Sequence, residues 1–210
     1  MKNLSLLSLL LLVAFCSQAQ YFQRTGKTNA FMLKTSPFGQ LKSPEKTTIA
    51  TLKSVGLGYA RMFKPGMFLQ VGYDVNQQRY GLREDIDFHV LSAGFFVDKA
   101  ISKTSVLKYR QLCFYHAFGL LAGINYNYAF SVNDRYKNDN GEIALTGGLS
   151  FHNHFNNTSK RRKAYSFHWD VLYSYGLSSF TKDPRGEAFN RSYVAIQLRI
   201  MKHKVVNFLN

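Results

Sequence analysis

The chain has 210 residues, of which 46% are hydrophobic and 15% aromatic, and it carries a formal net charge of +15 at pH 7. This length suits one domain, and no Pro/Gly/Ser-rich linker divides it. An α-helical membrane span needs about 20 consecutive apolar residues. Beyond the N-terminal segment no apolar run is long enough, which excludes a helical membrane protein.

The N-terminus has the pattern of an export signal. Lys2 supplies a positive start, residues 4–15 are a mostly apolar run, and residues 17–19 end in the small-residue pattern of a cleavage site. We therefore expect residues 1–19 to be a cleaved signal peptide and residues 20–210 to form the mature domain. A lipoprotein beginning at Cys16 is disfavoured because the preceding residue, Phe15, is bulky. Cleavage leaves Cys113 as the one cysteine, so no internal disulfide is predicted.

Eight segments alternate apolar and small polar residues with a period of two, which is the pattern of a strand with two unlike faces. In the clearest of them, residues 165–180, Trp169 and Tyr173 share one face while Asp170 and Ser174 share the other. The predicted strands are residues 28–36, 52–63, 67–77, 88–98, 111–128, 141–155, 164–180 and 191–201.

The predicted connections alternate in length along the chain. Short links are expected at residues 64–66, around 102–105, and at 156–163. On average longer links are expected at residues 39–51, 78–86, 131–140 and 181–190. An even strand number with short turns at one end is typical of an all-β, eight-stranded antiparallel up-and-down transmembrane β-barrel. The long loops would then lie outside the cell and both termini in the periplasm.

A soluble lipocalin-like carrier also alternates, but it turns its apolar face inward around a ligand. The polar face here consists mainly of Gly, Ser, Ala, Asn and His, which fit a narrow interior, while charges are expected in turns and loops. The membrane interpretation is therefore favoured, and it predicts that Trp169 and Ile196 point outward. His116 then falls on the lipid face and must lie near the periplasmic interface. Met32 and Lys34 leave the register of the first strand open.

Several polar side chains are predicted to share one region of the lumen, and they raise the question of chemistry. They are His152, His154, His168, Asp170, Ser150, Ser166 and Ser174. Asp170 could orient a histidine beside a serine nucleophile, or two histidines two residues apart could ligate a metal. The favoured interpretation is mutual hydrogen bonding in an interior cut off from water. The sequence therefore predicts no catalytic residue, cofactor or metal.

Basic residues gather at 99–108, 160–163 and 202–204, all at the predicted periplasmic end. They would meet lipid phosphates or an acidic partner, and no module for nucleic-acid binding is visible. The predicted partners are outer-membrane lipid and lipopolysaccharide, with other envelope proteins as further candidates and no nucleic acid.

Three segments, SVGLGY at residues 54–59, LSAGFF at 91–96 and FGLLAG at 118–123, resemble small outer-membrane barrels of the OmpA/OmpX type. The resemblance implies a non-catalytic outer-membrane protein, with a side-chain-filled lumen, that acts in surface interaction or envelope integrity through loops such as residues 133–140 and 181–190. The glycine-rich middle also faintly resembles the TraO family of conjugal-transfer proteins. A subunit of a secretion or conjugation apparatus is thus an alternative, and a lipid-modifying barrel enzyme a further one.

Overall fold

The computed structural model describes residues 28–42, 47–48, 52–64, 66–80, 84–109, 112–131, 141–157, 163–179, 181–182 and 188–204. The predicted signal peptide, the predicted loop at residues 133–140 and the C-terminal residues 205–210 lie outside this part of the chain. Within the described ranges, no helix is long and apolar enough to cross a membrane.

Ten strands account for the regular structure of the described residues, and eight of them are long. The long strands are β1 (Thr28–Lys42), β3 (Leu52–Lys64), β4 (Met67–Tyr80), β5 (Glu84–Tyr109), β6 (Leu112–Ser131), β7 (Glu142–Asn157), β8 (Lys163–Gly176) and β10 (Ala188–Lys204). The two short strands, β2 (Thr47–Thr48) and β9 (Thr181–Lys182), extend β1 and β10 respectively.

The eight long strands close into a barrel. Each pairs antiparallel with its neighbours, and β1 pairs with both β3 and β10, so the sheet returns to its starting strand. Met32 of β1, for example, lies between Gly58 of β3 and Arg199 of β10. Because the sheet is closed, its first and last long strands, β1 and β10, have no unpaired edge along their paired length. The predicted eight-stranded antiparallel up-and-down barrel is confirmed.

The outer surface of the barrel is apolar and the interior is polar. Trp169 and Ile196 are 49% and 39% exposed. Asp170, the residue that follows Trp169 on β8, is fully buried. The exposed apolar side chains come from every long strand and include Phe31, Leu57, Leu69, Leu91, Ile124, Phe151, Val171 and Ile196. An exterior of this kind fits hydrocarbon and not water, so the barrel is of the transmembrane type. The predicted outward direction of Trp169 and Ile196 is confirmed.

The first strand follows the same rule. Ala30, Met32 and Ser36 are buried inside the barrel, while Phe31 and Leu33 are exposed outside. The alternation looked weak in the sequence because an apolar residue, Met32, occupies a lumen position. β1 then has one extra residue, a β-bulge, between Thr35 and Phe38, which pair with Ile196 and Val194 of β10. The bulge accommodates Pro37, which has no N–H to donate to the hydrogen bonds between the strands.

The predicted link around residues 102–105 is wrong. These residues lie inside β5, which continues to Tyr109 and pairs with β6 throughout, with bulges at Ile101 and Ser105. Lys, Ser and Thr suggested a turn, but a strand accommodates these residue types as well. Because β4 begins at Met67, opposite Val97, residues 98–109 of β5 extend past it. His116 pairs with Thr104 in this extension and is exposed, as predicted for the outward face.

The long predicted loops are also partly strand. β1 stays paired as far as Lys42, where it also pairs with β2, and β4 stays paired with β5 as far as Tyr80. β9 pairs with the first residues of β10. Two strands of a hairpin can stay hydrogen-bonded beyond the membrane, where neither face has to be apolar. The alternation of side chains therefore underestimates the length of the strands in this region. By contrast, the short turn at residues 64–66 is confirmed. Gly66 has φ of 72° there, and its carbonyl accepts a hydrogen bond of 2.7 Å from the N–H of Asp98.

Candidate functional site

The lumen contains charged side chains that the sequence was expected to keep in turns and loops. That expectation is wrong for two groups. The termini-end cluster lies toward the end of the barrel where β1 begins and β10 ends, and consists of Asp98, Ser150, His152, His154, His168, Asp170, Gln197 and Arg199. The loop-end cluster lies toward the other end, and consists of Lys34, Asp74, Asn127, Glu142, Arg191 and Tyr193.

Arg199 of β10 is the centre of the termini-end cluster. Its Nε donates to Oδ2 of Asp170 at 2.6 Å, and its Nη2 donates to Oδ2 of Asp98 at 2.6 Å. Nη2 also donates to Oγ of Ser150 at 3.0 Å, and the guanidinium lies over the ring of Phe68 at 4.8 Å. Arg199 is only 1% exposed. Since a buried guanidinium is stable only when its charge and donors are matched, the two carboxylates hold this side chain inside the lumen.

Asp170 does not orient a histidine, as one sequence-based alternative supposed. Besides Arg199, it accepts hydrogen bonds from Oγ of Ser150 at 2.5 Å and from Nε2 of Gln197 at 3.1 Å. Ser150 therefore donates to a carboxylate that is already bound to a guanidinium, and no serine–histidine hydrogen bond is described for it. This geometry does not activate a nucleophile.

The acid that contacts the histidines is Asp98, which the sequence analysis missed. Its Oδ1 lies 3.0 Å from Nε2 of His152, and its Oδ2 lies 3.4 Å from Nδ1 of His168. Asp98 is the last residue of the predicted fourth strand, two positions after the inward-facing Phe96. The two-residue period of the strand could have placed Asp98 in the lumen. Its contacts with His152 of β7 and His168 of β8, however, depend on how the barrel closes.

Three imidazoles converge beside this carboxylate. The rings of His152 and His168 are stacked, with centroids 3.9 Å apart and an interplanar angle of 12°. The ring of His154 lies 5.3 Å from that of His168. One ring nitrogen from each histidine lies within 4.8 Å of the other two. All three side chains are buried, so this is the group in the described lumen with the donors to hold a transition-metal ion.

A neutral layer separates the two charged clusters. Nδ2 of Asn125 donates to Oγ1 of Thr146, which in turn donates to Oγ of Ser174, both at 2.9 Å. The predicted lumen position of Ser174 is thus confirmed, but its described partner is a threonine. Ser166 is likewise buried on β8, as predicted.

The loop-end cluster is built from two ion pairs. Oε2 of Glu142 accepts from Nη2 of Arg191 at 2.9 Å and from Nδ2 of Asn127 at 3.0 Å. Nζ of Lys34 lies 2.9 Å from Oδ2 of Asp74. The ring of Tyr193 faces both cations, at 5.1 Å from Nζ of Lys34 and 4.7 Å from the guanidinium carbon of Arg191.

Two glycines make room for the carboxylates of this cluster. A Cβ at Gly56 would collide with the side chain of Asp74, and one at Gly176 would collide with the side chain of Glu142. The lumen is therefore filled to the point where a methyl group does not fit beside these acids.

Side chains also cross the lumen between strands that are not neighbours. Nε2 of Gln70 on β4 donates to Oε1 of Gln197 on β10 at 3.3 Å, and Arg199 reaches Asp98 on β5. Direct hydrogen bonds across the axis show that the described interior is closed by side chains at these levels.

The sequence matches no protein-family model and no curated protein. Among solved structures, the fold is similar to Neisserial surface protein A, at 10% identity over 83% of this chain and 96% of that one, with a TM-score of 0.37. It is similar to Ail, the attachment invasion locus protein of Yersinia pestis, at 14% identity over 84% and 98%, with a TM-score of 0.35. It is also similar to the outer membrane protein OprG from Pseudomonas aeruginosa, at 12% identity over 87% and 97%, with a TM-score of 0.40.

Proposed function

We propose that the protein is a non-catalytic outer-membrane barrel that acts in surface interaction or envelope integrity. The observation that carries this proposal is the pairing of an apolar exterior with a lumen closed by bonded side chains. The exterior supports residence in lipid, and the export pattern at residues 1–19 supports the outer membrane as the destination. Termini in the periplasm and loops outside complete the proposed orientation.

The lumen supports a structural role over transport or catalysis. Arg199 and Gln197 are bonded across the axis, so a solute would have to break buried ion pairs to pass. Ser150, the serine of the termini-end cluster, donates to Asp170 and is not activated as a nucleophile by this contact, which supports a non-enzyme. Function then falls to the outer ends of the strands, where β1 with β2 and β9 with β10 form paired extensions beneath the loops.

Reconstitution tests the membrane and lumen parts of this proposal. Purified protein folded into lipid should migrate differently on gels before and after boiling, and should show no stepwise conductance in a planar bilayer. Protein that stays out of the membrane fraction of cells, or that conducts steadily at neutral pH, would contradict the proposal.

Epitope tags test the orientation. A tag inserted within residues 133–140 or 183–187 should be detected by antibody on intact cells, while a tag in the turn at residues 64–66 should be detected only after the outer membrane is opened. The reverse pattern would place the loops in the periplasm and remove the surface-interaction role.

A second candidate, a subunit of an envelope-spanning apparatus, is favoured by one observation. Residues 100–109 of β5 extend past the first residue of β4, and along this length the described strand pairing of β5 is with β6. An extended segment of a periplasmic protein could add to this edge through main-chain hydrogen bonds. Crosslinking from a photoreactive residue at position 103 in intact cells should then capture one discrete partner, with position 71 on the lipid face as the control.

A further inference from the structure

We propose that His152, His154 and His168 form a binding site for a divalent transition-metal ion, with Zn²⁺ as the best fit. The site goes beyond the proposed barrel function and does not depend on it. Three imidazoles are the protein ligands of many Zn²⁺ sites, and Cu²⁺ and Ni²⁺ share this preference for nitrogen. The two strands that supply them, β7 and β8, are neighbours, with His152 directly opposite His168 in register.

The spacing of the rings is close to that of a metal site. One nitrogen of each histidine lies within 4.8 Å of the other two. In a tetrahedral Zn²⁺ site the nitrogens lie about 3.3 Å apart, because bonds of about 2.0 Å meet near the tetrahedral angle. A difference of this size is within the reach of rotation about histidine side-chain torsions.

Asp98 orients two of the three ligands. Its carboxylate accepts from Nε2 of His152 and from Nδ1 of His168, so in each neutral ring the other nitrogen keeps its lone pair. A carboxylate behind a ligating histidine is the usual outer partner of a zinc site, because it holds the ring in one tautomer and raises its basicity. Here one carboxylate serves two rings.

A buried nitrogen of His168 is left over after these bonds are made. Its Nε2 has no hydrogen-bond partner among the described residues, and the residue is only 5% exposed. A buried acceptor without a partner destabilises a folded protein, and a metal–nitrogen bond would remove that penalty.

The local charge favours a cation as well. With neutral imidazoles, the termini-end cluster contains two carboxylates, Asp98 and Asp170, and one guanidinium, Arg199, which leaves one negative charge in excess. Either a bound cation or a proton on an imidazole must compensate this charge in a lumen of low dielectric. The cluster is also near the end of the barrel, since the N–H of Asp98 bonds to the carbonyl of Gly66 in the turn between β3 and β4.

The test uses tag-free full-length mature protein, folded in detergent, treated with a chelator and exchanged into metal-free buffer. Calorimetric titration with Zn²⁺ at neutral pH should give one ion per chain. Titration with Co²⁺ should give the intense visible bands of a low-coordinate site with nitrogen ligands. No binding, or a Co²⁺ spectrum like that of the hydrated ion, would overturn the proposal and assign the excess charge to a protonated histidine.

Three substitutions locate the site. His154→Gln and His168→Gln should each weaken Zn²⁺ binding at least 100-fold, while the matched control His116→Gln, on the outer face, should bind as the wild type does. Asp98→Asn, a positioning change, should weaken binding about 10- to 100-fold. Equal losses in His116→Gln and His168→Gln would also overturn the proposal. Heat-modifiable migration identifies any variant that has not folded, and in that case the Co²⁺ spectrum of the wild type decides.

Discussion

The two charged clusters of the lumen differ in how their charge is balanced. In the loop-end cluster, Lys34 and Arg191 match Asp74 and Glu142 in two ion pairs. In the termini-end cluster, one guanidinium serves two carboxylates, and three imidazoles lie beside them. The charges of the first cluster balance among its own residues, whereas the second has one excess negative charge, which a proton or a bound cation offsets. Burial alone therefore does not distinguish a structural network from a candidate binding site, but the balance of charge does.

The largest effect should come from breaking the termini-end cluster at its centre. Arg199→Met leaves Asp98 and Asp170 as two buried carboxylates without a cation, and we expect the free energy of unfolding to fall by about 3–5 kcal/mol. Urea unfolding in lipid vesicles measures this loss. Lys202→Met, at an exposed position of the same strand, is the control. Equal losses in the two variants would show that Arg199 contributes no more than a surface cation.

A charge placed on the outer face has no such partners and tests whether the surroundings are lipid. Val171 is exposed near the middle of β8, and Val171→Arg should lower the free energy of unfolding by about 2–4 kcal/mol in a bilayer. Leu177→Arg, just beyond the strand end, should cost no more than about 1 kcal/mol. The same urea titration reports both variants, and similar small losses in the two would contradict an apolar belt at this depth.

The loop-end cluster should be less sensitive, because each of its charges has its own partner. Glu142→Gln keeps an acceptor for Arg191 and Asn127 but removes the negative charge, and should cost about 2–3 kcal/mol. A double-mutant cycle with Arg191→Gln checks the pair, since the double variant should lose less than the sum of the two single losses. Strict additivity would mean that the two residues do not interact.

Substitutions in the neutral layer between the clusters should give the smallest loss in the free energy of unfolding. Thr146→Val removes the hydroxyl that joins Asn125 to Ser174, and should cost about 1 kcal/mol. Tyr173→Phe, which removes the hydroxyl of an exposed side chain on the outer face of β8, is the control and should be close to neutral in a bilayer. A loss from Thr146→Val as large as that from Glu142→Gln would mean that charge is not what distinguishes the clusters.

The strands and their faces were predictable because each depends on a local, two-residue period. That period placed Trp169, Ile196, Asp170 and Ser174 on the correct sides of their strands without any knowledge of closure. It failed at residues 102–105, because a strand and a turn can use the same polar residue types. The pattern holds only where one side of a strand is in lipid.

The site was only partly predictable. The sequence brought His152, His154 and His168 to one region of the lumen, but it did not identify Asp98 as their partner. Asp98 lies on β5 and the histidines lie on β7 and β8, so their contact crosses the barrel. Such contacts depend on strand stagger and closure, which no single strand encodes. For the same reason one of the sequence-based alternatives paired Asp170 with a histidine, whereas the structure pairs it with Arg199.

The guanidinium groups of both clusters, Arg191 and Arg199, are on β10, the strand that seals the barrel against β1. A sheet in which the other seven long strands have already formed would hold Glu142, Asp98 and Asp170 without their counter-ions. Docking of the final strand completes the hydrogen-bonded circle and brings both guanidinium groups to these acids in a single event. We therefore expect the last step of assembly to be all-or-none, since a half-closed intermediate would keep carboxylates in an interior that has not yet received its guanidinium groups.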